Sequence, residues 1–335
     1  MNETPLLEVV NLGKRFKSRQ GVMAAVDNIS FAVLRGQHLG VVGASGSGKS
    51  TLVKLVQQLL PVTAGHILYS GVDVTGLSER RLRSFRRSVQ SVSQNPYSSL
   101  FPNKSIGQNI VEPLLIHRLL SPPERLAKAQ SLMARVGVPP EHFYAFPHEV
   151  SGGQQQRIAI ARALALEPEL LILDEAVSSL DVSIQAQILR LLAELAAEFD
   201  LTYLFVSHNL AVVRLICTQV AVMFLGKIVE IGPTAEIFAQ PIHPYTRSLL
   251  DAVPDFAADA KDVKSAKDAE DAAQPVVDMP SPYNIPPGCR YQTLCPFATG
   301  RCRSESPELR AVRGTQLAAC HYGEEIAAQG RDGDQ

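Results

Sequence analysis

An eight-residue loop has the residue types and spacing of a phosphate-binding site. It fits the pattern G-x-x-x-x-G-K-[ST] and lies between an apolar run and a helical pattern, the context that the pattern requires. Glycines in such a loop let backbone N–H groups turn inward around a phosphate, the lysine brings a positive charge to the β- and γ-phosphates, and the last hydroxyl can ligate Mg²⁺. The loop consists of Gly43, Ala44, Ser45, Gly46, Ser47, Gly48, Lys49 and Ser50, and Thr51 follows it.

A second glycine-rich turn predicts another anion site. Ser151, Gly152, Gly153 and Gln154 open a predicted helix. Backbone N–H groups at a helix N-terminus, with the helix dipole behind them, favour a bound anion. The chain would then carry two separate phosphate-binding surfaces, which indicates that it works with a partner.

Polar side chains follow three predicted strands. Asp174 ends an apolar strand and Glu175 follows it. One carboxylate can hold Mg²⁺ through water, and the next can polarise an attacking water. Alone, this pair fits a solvated strand end equally well, but the phosphate loop favours the catalytic interpretation. His208 ends the next apolar strand, where it could contact a γ-phosphate or be a capped surface residue, and Gln94 follows the strand 89–93.

Four of the five cysteines lie near the C-terminus. They are Cys289, Cys295, Cys302 and Cys320. The intervening segments of 5, 6 and 17 residues do not match short zinc knuckles, which have about two residues between paired thiols. Four thiolates suit an iron–sulfur cluster, and a proline follows Cys295 as in ferredoxin-type runs. A [4Fe–4S] cluster, a zinc ion and a set of reduced thiols all stay open, whereas the isolated Cys217 is predicted to be an inert buried thiol.

The elements that must position these residues alternate between β-like and helical patterns from about residue 6 to 231. This alternation predicts an α/β domain with a largely parallel sheet. The phosphate loop is predicted to follow a buried strand over 39–42 and to lead into a helix from Lys49 to Leu60, ended by Pro61.

Further along the chain, apolar runs predict buried strands at 170–173 and 202–206, with a helix over 183–199 between them. The segment 105–167 has helical character and no clear strand, so we expect a helical subdomain inserted in the α/β core. The segment 255–282 is dense in Ala, Asp and Lys and reads as a flexible linker.

Composition excludes several classes of protein. The 335 residues are 46% apolar, which is enough for a sizeable core, and the formal net charge of −1 gives no indication of nucleic-acid binding. The first eight residues lack the basic and apolar regions of a secretion signal, and no run of 18 apolar residues occurs. We therefore expect a soluble, cytoplasmic protein.

In order and spacing, these motifs together resemble the ATP-binding-cassette (ABC) ATPases from about residue 6 to 232. The correspondence assigns Gly43 to Thr51 to the Walker A loop, Gln94 to the Q-loop, Ser151 to Gln154 to the family signature, Asp174 to the end of Walker B, Glu175 to the catalytic base, Asp181 to the D-loop and His208 to the switch histidine. Phe16 lies where the family places an aromatic ring on adenine, with a buried core phenylalanine as the alternative. Val150 before the signature replaces the usual leucine, a conservative departure.

Finer features resemble the ATPases of dipeptide and oligopeptide importers. They are the segments 94–100, 181–189 and 243–250, the pair 253–254, and the cysteine-bearing tail 286–322. The resemblance implies a P-loop NTPase fold, α/β in class: an ABC nucleotide-binding domain over 1–232 with a helical subdomain at about 95–167, connecting helices over 233–254, the linker 255–282 and a cysteine-rich extension over 283–335.

The resemblance also implies cofactors and partners. ATP would bind with Mg²⁺, held through Ser50, Gln94 and Asp174, and some importer ATPases resembling this chain carry a [4Fe–4S] cluster in the extension. Two permease subunits, a second ATP-binding subunit that is related rather than identical, and an extracytoplasmic solute-binding protein would complete the system. This chain would lie at the cytoplasmic face of the inner membrane. The solute could instead be glutathione, nickel or another peptide-like compound. An ABC ATPase outside transport or a non-catalytic subunit fits the motifs less well.

Overall fold

The computed structural model describes residues 4–19, 21–252 and 283–329. The predicted linker 255–282, the pair 253–254 and the end of the extension from 330 lie outside the described residues. The chain divides into two compact units. The first comprises residues within 1–33, 37–76 and 206–335, and the second comprises residues 34–36 and 77–205.

Twelve strands and twelve α-helices are found in the described residues. The strands are β1 Leu7–Ser18, β2 Gly21–Val33, β3 His38–Val42, β4 Ala64–Tyr69, β5 Val72–Asp73, β6 Val89–Ser93, β7 Leu170–Asp174, β8 Thr202–Ser207, β9 Gln219–Phe224, β10 Lys227–Pro233, β11 Arg310–Arg313 and β12 Gln316–Ala318. The helices are α1 Lys49–Val56, α2 Glu79–Ser88, α3 Pro96–Ser99, α4 Ile106–Ile116, α5 Pro122–Arg135, α6 Gly152–Leu164, α7 Val182–Phe199, α8 Leu210–Ile216, α9 Thr234–Ala239, α10 Pro244–Asp251, α11 Gly300–Ser304 and α12 Gly323–Gln329. Short 3₁₀ helices lie at Pro140–Tyr144 and Pro147–Glu149.

The first unit contains two sets of strands. One is an antiparallel sheet in the order β2-β1-β4-β5. The other places β11-β12-β10-β9-β3 side by side, with β9 parallel to β3 and antiparallel to β10. Nearly every residue of β3 and β9 is buried, which is why both read as continuous apolar runs rather than as alternating patterns.

Helix α1 is shorter than the sequence predicts. It begins at Lys49, as expected, but ends at Val56 instead of Leu60. Gln57 closes the helix by donating its N–H to the Val53 carbonyl, and Gln58 adopts a left-handed φ of 55°. A local turn, rather than the proline at 61, therefore ends this helix.

In the second unit the strand order is β8-β7-β6, and β6 and β7 are parallel. The residues between β6 and β7, all of them described, form helices and loops without a strand, in agreement with the helical character predicted there. Helix α7 buries Leu192 and Leu195 as its periodicity predicts, and the Tyr203 hydroxyl donates a 2.8 Å hydrogen bond to the Leu192 carbonyl. None of the helices in the described ranges is long and apolar enough to cross a bilayer.

The C-terminal extension joins the first unit through a strand and a buried carboxylate. Strand β12 pairs antiparallel with β10. The buried Glu230 of β10 accepts hydrogen bonds from the backbone N–H groups of Ile242 (2.8 Å) and His243 (2.9 Å) and from the Gln316 amide of β12 (2.6 Å). Burial raises the pKa of Glu230, and the donors around the carboxylate oppose this shift. One side chain thus ties together β10, the loop before α10 and the extension.

Replacing this carboxylate by an amide should destabilise the first unit. In Glu230→Gln the new NH₂ group must face at least one N–H donor, so we expect a loss of about 2 to 4 kcal/mol of unfolding free energy. Glu236→Gln, an identical change at an exposed position of α9, is the control and should cost less than about 0.5 kcal/mol. Urea unfolding of the full chain measures both values. Equal midpoints for the two variants would contradict the role given to Glu230.

Candidate nucleotide-binding and hydrolysis site

The phosphate loop depends on glycine at two close contacts with backbone. Gly43 and Gly48 have left-handed φ values of 154° and 106°. A Cβ atom at Gly43 would lie 2.2 Å from the Met223 carbonyl oxygen, and one at Gly48 would lie 2.2 Å from the Ala25 carbonyl oxygen. Any side chain at these two positions would push the loop away from strands β9 and β2.

The loop holds its own lysine. Lys49 is buried at the start of α1, and its Nζ donates hydrogen bonds to the carbonyls of Gly43 (2.6 Å) and Ala44 (3.0 Å). Ser47 is fully buried, and its Oγ has no hydrogen-bond partner among the described residues. A buried hydroxyl without a partner inside such a loop fits a site that a ligand completes. Ser45, Gly46 and Ser50 are exposed.

Phe16 lies in β1 and is half-buried, so it is not a core phenylalanine. The Lys14 ammonium lies 5.2 Å from the centroid of its ring. An accessible ring face suits the predicted stacking on adenine, which stays a prediction.

In the second unit three of the predicted motifs come together. Ser93 of β6 lies opposite Asp174 of β7, so Gln94 and Glu175 follow neighbouring strand ends. Glu175 has a left-handed φ of 51°, and the Ser178 N–H and hydroxyl both donate to its carbonyl, at 3.1 and 2.9 Å. The Ser179 hydroxyl, from the D-loop segment, donates to the Gln94 carbonyl at 3.1 Å. The strained backbone of Glu175 is thus fixed by its own turn, which is typical of residues held for function.

The Ser151–Gln154 turn begins helix α6, as predicted. Ser151 is the N-cap: its Oγ accepts the Gln154 N–H at 3.3 Å, and the Gln154 amide oxygen accepts the Ser151 N–H at 3.0 Å. Nothing lies within 4 Å of a Cβ atom built on Gly152, whereas one on Gly153 would meet Ile184 at 2.7 Å. The capping box explains the helix start, and the open surface over Gly152 leaves room for an anion or a partner.

Asp181 and His208 also begin or precede helices. The Asp181 carboxylate caps α7 by accepting hydrogen bonds from the Ser183 hydroxyl (2.7 Å) and the Ile184 N–H (3.0 Å). Both bonds lower the pKa of Asp181, and the bond from Ser183 has the larger effect. His208 is exposed directly after β8, and Asn209 caps α8. The predicted nucleotide-site residues are divided between the units: Phe16, the phosphate loop and His208 belong to the first, and the residues at 94, 151–154, 174, 175 and 181 belong to the second.

The four C-terminal cysteines converge. Cys289, Cys295, Cys302 and Cys320 all line one cavity, together with His243 and Tyr291. Burial raises the pKa of Cys295 and of Cys320 to about 11, so these thiols hold their protons at neutral pH unless a cation displaces them. No group of three or more His, Cys, Asp or Glu side chains in the described ranges could hold a metal ion.

The isolated Cys217 is buried, as predicted, and burial raises the pKa of its thiol. Sequence reasoning missed Tyr245, whose hydroxyl accepts a hydrogen bond from the Ala44 N–H of the phosphate loop. In the sequence, the segment 243–245 only supports the family resemblance, and no local pattern indicates a contact with residue 44.

Comparison with known proteins identifies the family. The family model described as ABC transporter matches residues 26–178, and the model described as oligopeptide/dipeptide transporter, C-terminal region, matches residues 229–302. The di/tripeptide transport ATP-binding protein DppF of Pseudomonas aeruginosa is 46% identical over 302 residues, covering 90% of this chain and 91% of the relative. The chain belongs to the ABC transporter ATP-binding proteins. The oligopeptide transport ATP-binding protein AppF of Bacillus subtilis is 43% identical over 330 residues, covering 96% of this chain and 98% of the relative.

Solved structures agree with this assignment. An ATP-binding cassette in a dimeric post-hydrolysis state, bound to ADP and Pi, matches with a TM-score of 0.63 and 27% identity, covering 68% of this chain and 98% of that one. The cassette cbiO1 of Clostridium perfringens, part of an ABC transporter complex, matches with a TM-score of 0.64 and 30% identity. The match covers 71% of this chain and 92% of that one. The fold is the ABC ATPase cassette of the P-loop NTPases, and its activity is that of an ATPase. None of these descriptions mentions an iron–sulfur cluster, so the predicted cluster has no support from them.

Proposed function

We propose that this chain is the ATP-hydrolysing subunit of a membrane importer for dipeptides or oligopeptides, bound peripherally to the cytoplasmic face of the membrane. One observation carries the proposal: the chain joins an ABC cassette to the oligopeptide/dipeptide C-terminal region and has peptide-transport relatives along almost its whole length. The buried Lys49 and the glycine contacts of the phosphate loop support a catalytic rather than a degenerate cassette.

The predicted residues take specific roles in this proposal, and Gln94 takes two, as a catalytic residue and as a Mg²⁺ ligand. Lys49 and the loop amides from Gly43 to Thr51 bind the ATP phosphates, and Phe16 stacks on adenine. Ser50, Gln94 and Asp174 supply oxygen ligands for Mg²⁺, which neutralises phosphate charge. Glu175 polarises the attacking water, and His208 contacts the γ-phosphate.

The signature serves a partner's ATP. Ser151 to Gln154 present an exposed helix N-terminus, and the open space over Gly152 supports a role at an interface. In this arrangement two cassettes meet head to tail with ATP between them, and loss of the γ-phosphate reopens the pair. Asp181 is the D-loop residue of this chain. We infer that the partner is a related second ATPase and that the surface near residues 94–100 and the helices that follow receives a coupling helix from one of two permease subunits.

Other components of the importer determine which solute is transported. An extracytoplasmic solute-binding protein would select the solute, and glutathione, nickel or another peptide-like compound stays an alternative to dipeptides. A cassette ATPase outside transport is disfavoured because the matched C-terminal region is a transporter region. Purifying the permease and solute-binding components with this chain and testing ligands on the latter would separate these cases.

Removing the catalytic carboxylate should stop hydrolysis without stopping nucleotide binding. Glu175→Gln keeps the shape of the side chain but removes the base, so we expect ATP turnover in the assembled complex to fall about 100-fold or more, with the ATP Kd within about twofold of wild type. Phosphate release and equilibrium titration measure the two quantities. Undiminished turnover would contradict the role of Glu175.

The signature can be tested independently of the chain's own phosphate loop. Gly152→Ala meets nothing within 4 Å, so the isolated chain should keep its melting temperature and its ATP affinity. In the assembled complex the added methyl group would stand between the signature and the partner's nucleotide, and we expect ATP turnover to fall about 10-fold or more. Full activity of a complex carrying this variant would show that the signature does not face ATP.

We also propose that the four cysteines of this cavity hold a [4Fe–4S] cluster, with a zinc ion as the alternative. One observation supports the proposal: four thiols line the same cavity, which is the number of thiolate ligands that a [4Fe–4S] cluster takes. Cys289, Cys295, Cys302 and Cys320 would supply its four thiolate ligands. When bound, it would cross-link the segments of the extension that carry the four cysteines.

Anaerobic purification of the full chain tests this cofactor. We expect brown protein with about four iron and four sulfide per chain, and Cys302→Ser should lower both contents. Cys217→Ser, a change of the same type outside the cavity, is the control and should leave them unchanged. Colourless, iron-free protein prepared without oxygen would exclude the cluster, and stoichiometric zinc in its place would support the single-ion alternative.

A further inference from the structure

The hydroxyl of Tyr245 lies against the phosphate loop. Tyr245 is buried in α10, and its Oη accepts a 2.9 Å hydrogen bond from the Ala44 N–H. The carbonyl of Ala44 accepts a hydrogen bond from the Lys49 ammonium. Tyr245, 201 positions after Ala44 in the sequence, therefore fixes Ala44, which in turn binds the Lys49 ammonium.

Tyr245 is itself fixed in place. Its N–H donates to Nδ1 of His243, which caps α10, and burial lowers the pKa of His243 to about 3, so the neutral ring can accept this bond. The tyrosine ring packs against Phe224 and Tyr291, with centroid distances of 4.6 and 5.4 Å. Burial raises the pKa of Tyr245 to about 12, so the phenol stays neutral at physiological pH. A ring clamped in this way can hold its hydroxyl at one point.

A second contact, from the turn between β9 and β10, reaches the other part of the loop. The Gly226 N–H donates a 2.7 Å hydrogen bond to the Ser47 carbonyl. The neighbouring carbonyl of Leu225 accepts a hydrogen bond from the buried Arg290, which also pairs with Asp27. Arg290 and the adjacent tyrosine at 291 both belong to the C-terminal extension, so this region packs behind both of the contacts with the loop.

We propose that Tyr245 is a positioning residue of the nucleotide site: its hydroxyl holds Ala44, and through it Lys49, in the arrangement that receives the phosphates of ATP. The inference rests on the proposed binding of nucleotide by the loop 43–51. Without the hydroxyl, the Ala44 N–H loses its acceptor and the loop gains conformations that ATP or ADP must then suppress. The effect should therefore appear in affinity more than in turnover at saturating ATP.

The test compares two deletions of a single buried hydroxyl in the full chain. Tyr245→Phe removes the contact with Ala44, and Tyr203→Phe removes the matched hydrogen bond to the Leu192 carbonyl in the second unit. We expect Tyr245→Phe to raise the Kd for ATP and ADP by about 2- to 12-fold, and KM likewise in the assembled complex, with kcat within about twofold of wild type. Tyr203→Phe should leave both constants unchanged, although both variants lose similar thermal stability.

Hydrogen exchange of nucleotide-free protein gives a second measurement that does not depend on catalysis. The segment 43–51 should exchange faster in Tyr245→Phe than in wild type or Tyr203→Phe, while β7 keeps its protection. Unchanged affinity and exchange in Tyr245→Phe, or an equal loss of affinity in both variants, would overturn the inference. Lys49→Ala distinguishes failure of the proposed nucleotide site from failure of the role given to Tyr245. If Lys49→Ala keeps full affinity for ATP, the proposed nucleotide site is wrong. If Lys49→Ala loses affinity but Tyr245→Phe does not, only the role of Tyr245 is wrong.

Discussion

A phosphate loop has to hold its backbone donors in place before any ligand arrives, and here close backbone packing does so. Gly43 lies against the Met223 carbonyl and Gly48 against the Ala25 carbonyl, at separations that leave no room for a side chain. The buried ammonium of Lys49 then bridges the carbonyls at the start of the loop. Strands β2 and β9 are therefore the walls of the site as well as parts of the core, and any change in their position reaches the loop directly.

The C-terminal region acts as part of the cassette. It supplies a strand next to β10, a glutamine for the buried Glu230, an arginine that pairs with Asp27 and a ring that packs on Tyr245. These contacts are buried and mostly directional, so they fix geometry more than they add apolar area. A peptide-transport ATPase with this extension differs from a bare cassette in having a second layer of support behind its phosphate loop.

The sequence was a good guide where the signal is local. The phosphate loop, the capping box at Ser151 and the strand before Asp174 are encoded within a few residues, and the structure has them where they were predicted. The end of α1 was missed because a left-handed turn at Gln58 closed the helix before the proline could. The contact between Tyr245 and Ala44 could not be predicted, because it depends on how distant segments pack. The four cysteines, which the sequence grouped as possible ligands of one cluster, do line one cavity.

The hairpin of β11 and β12 also determines which strand of the first unit is left at the margin of its sheet. Strand β10 carries the buried, β-branched sequence Ile228, Val229 and Ile231, and β12 covers its free hydrogen-bonding groups. The margin passes to β11, which is four residues long and has arginine at both ends, one of them paired with Glu324. Short, charged outer strands resist pairing with other molecules. A cassette truncated before this hairpin would instead expose β10 as an apolar edge strand that can pair with another molecule. The tail therefore protects the protein against self-association.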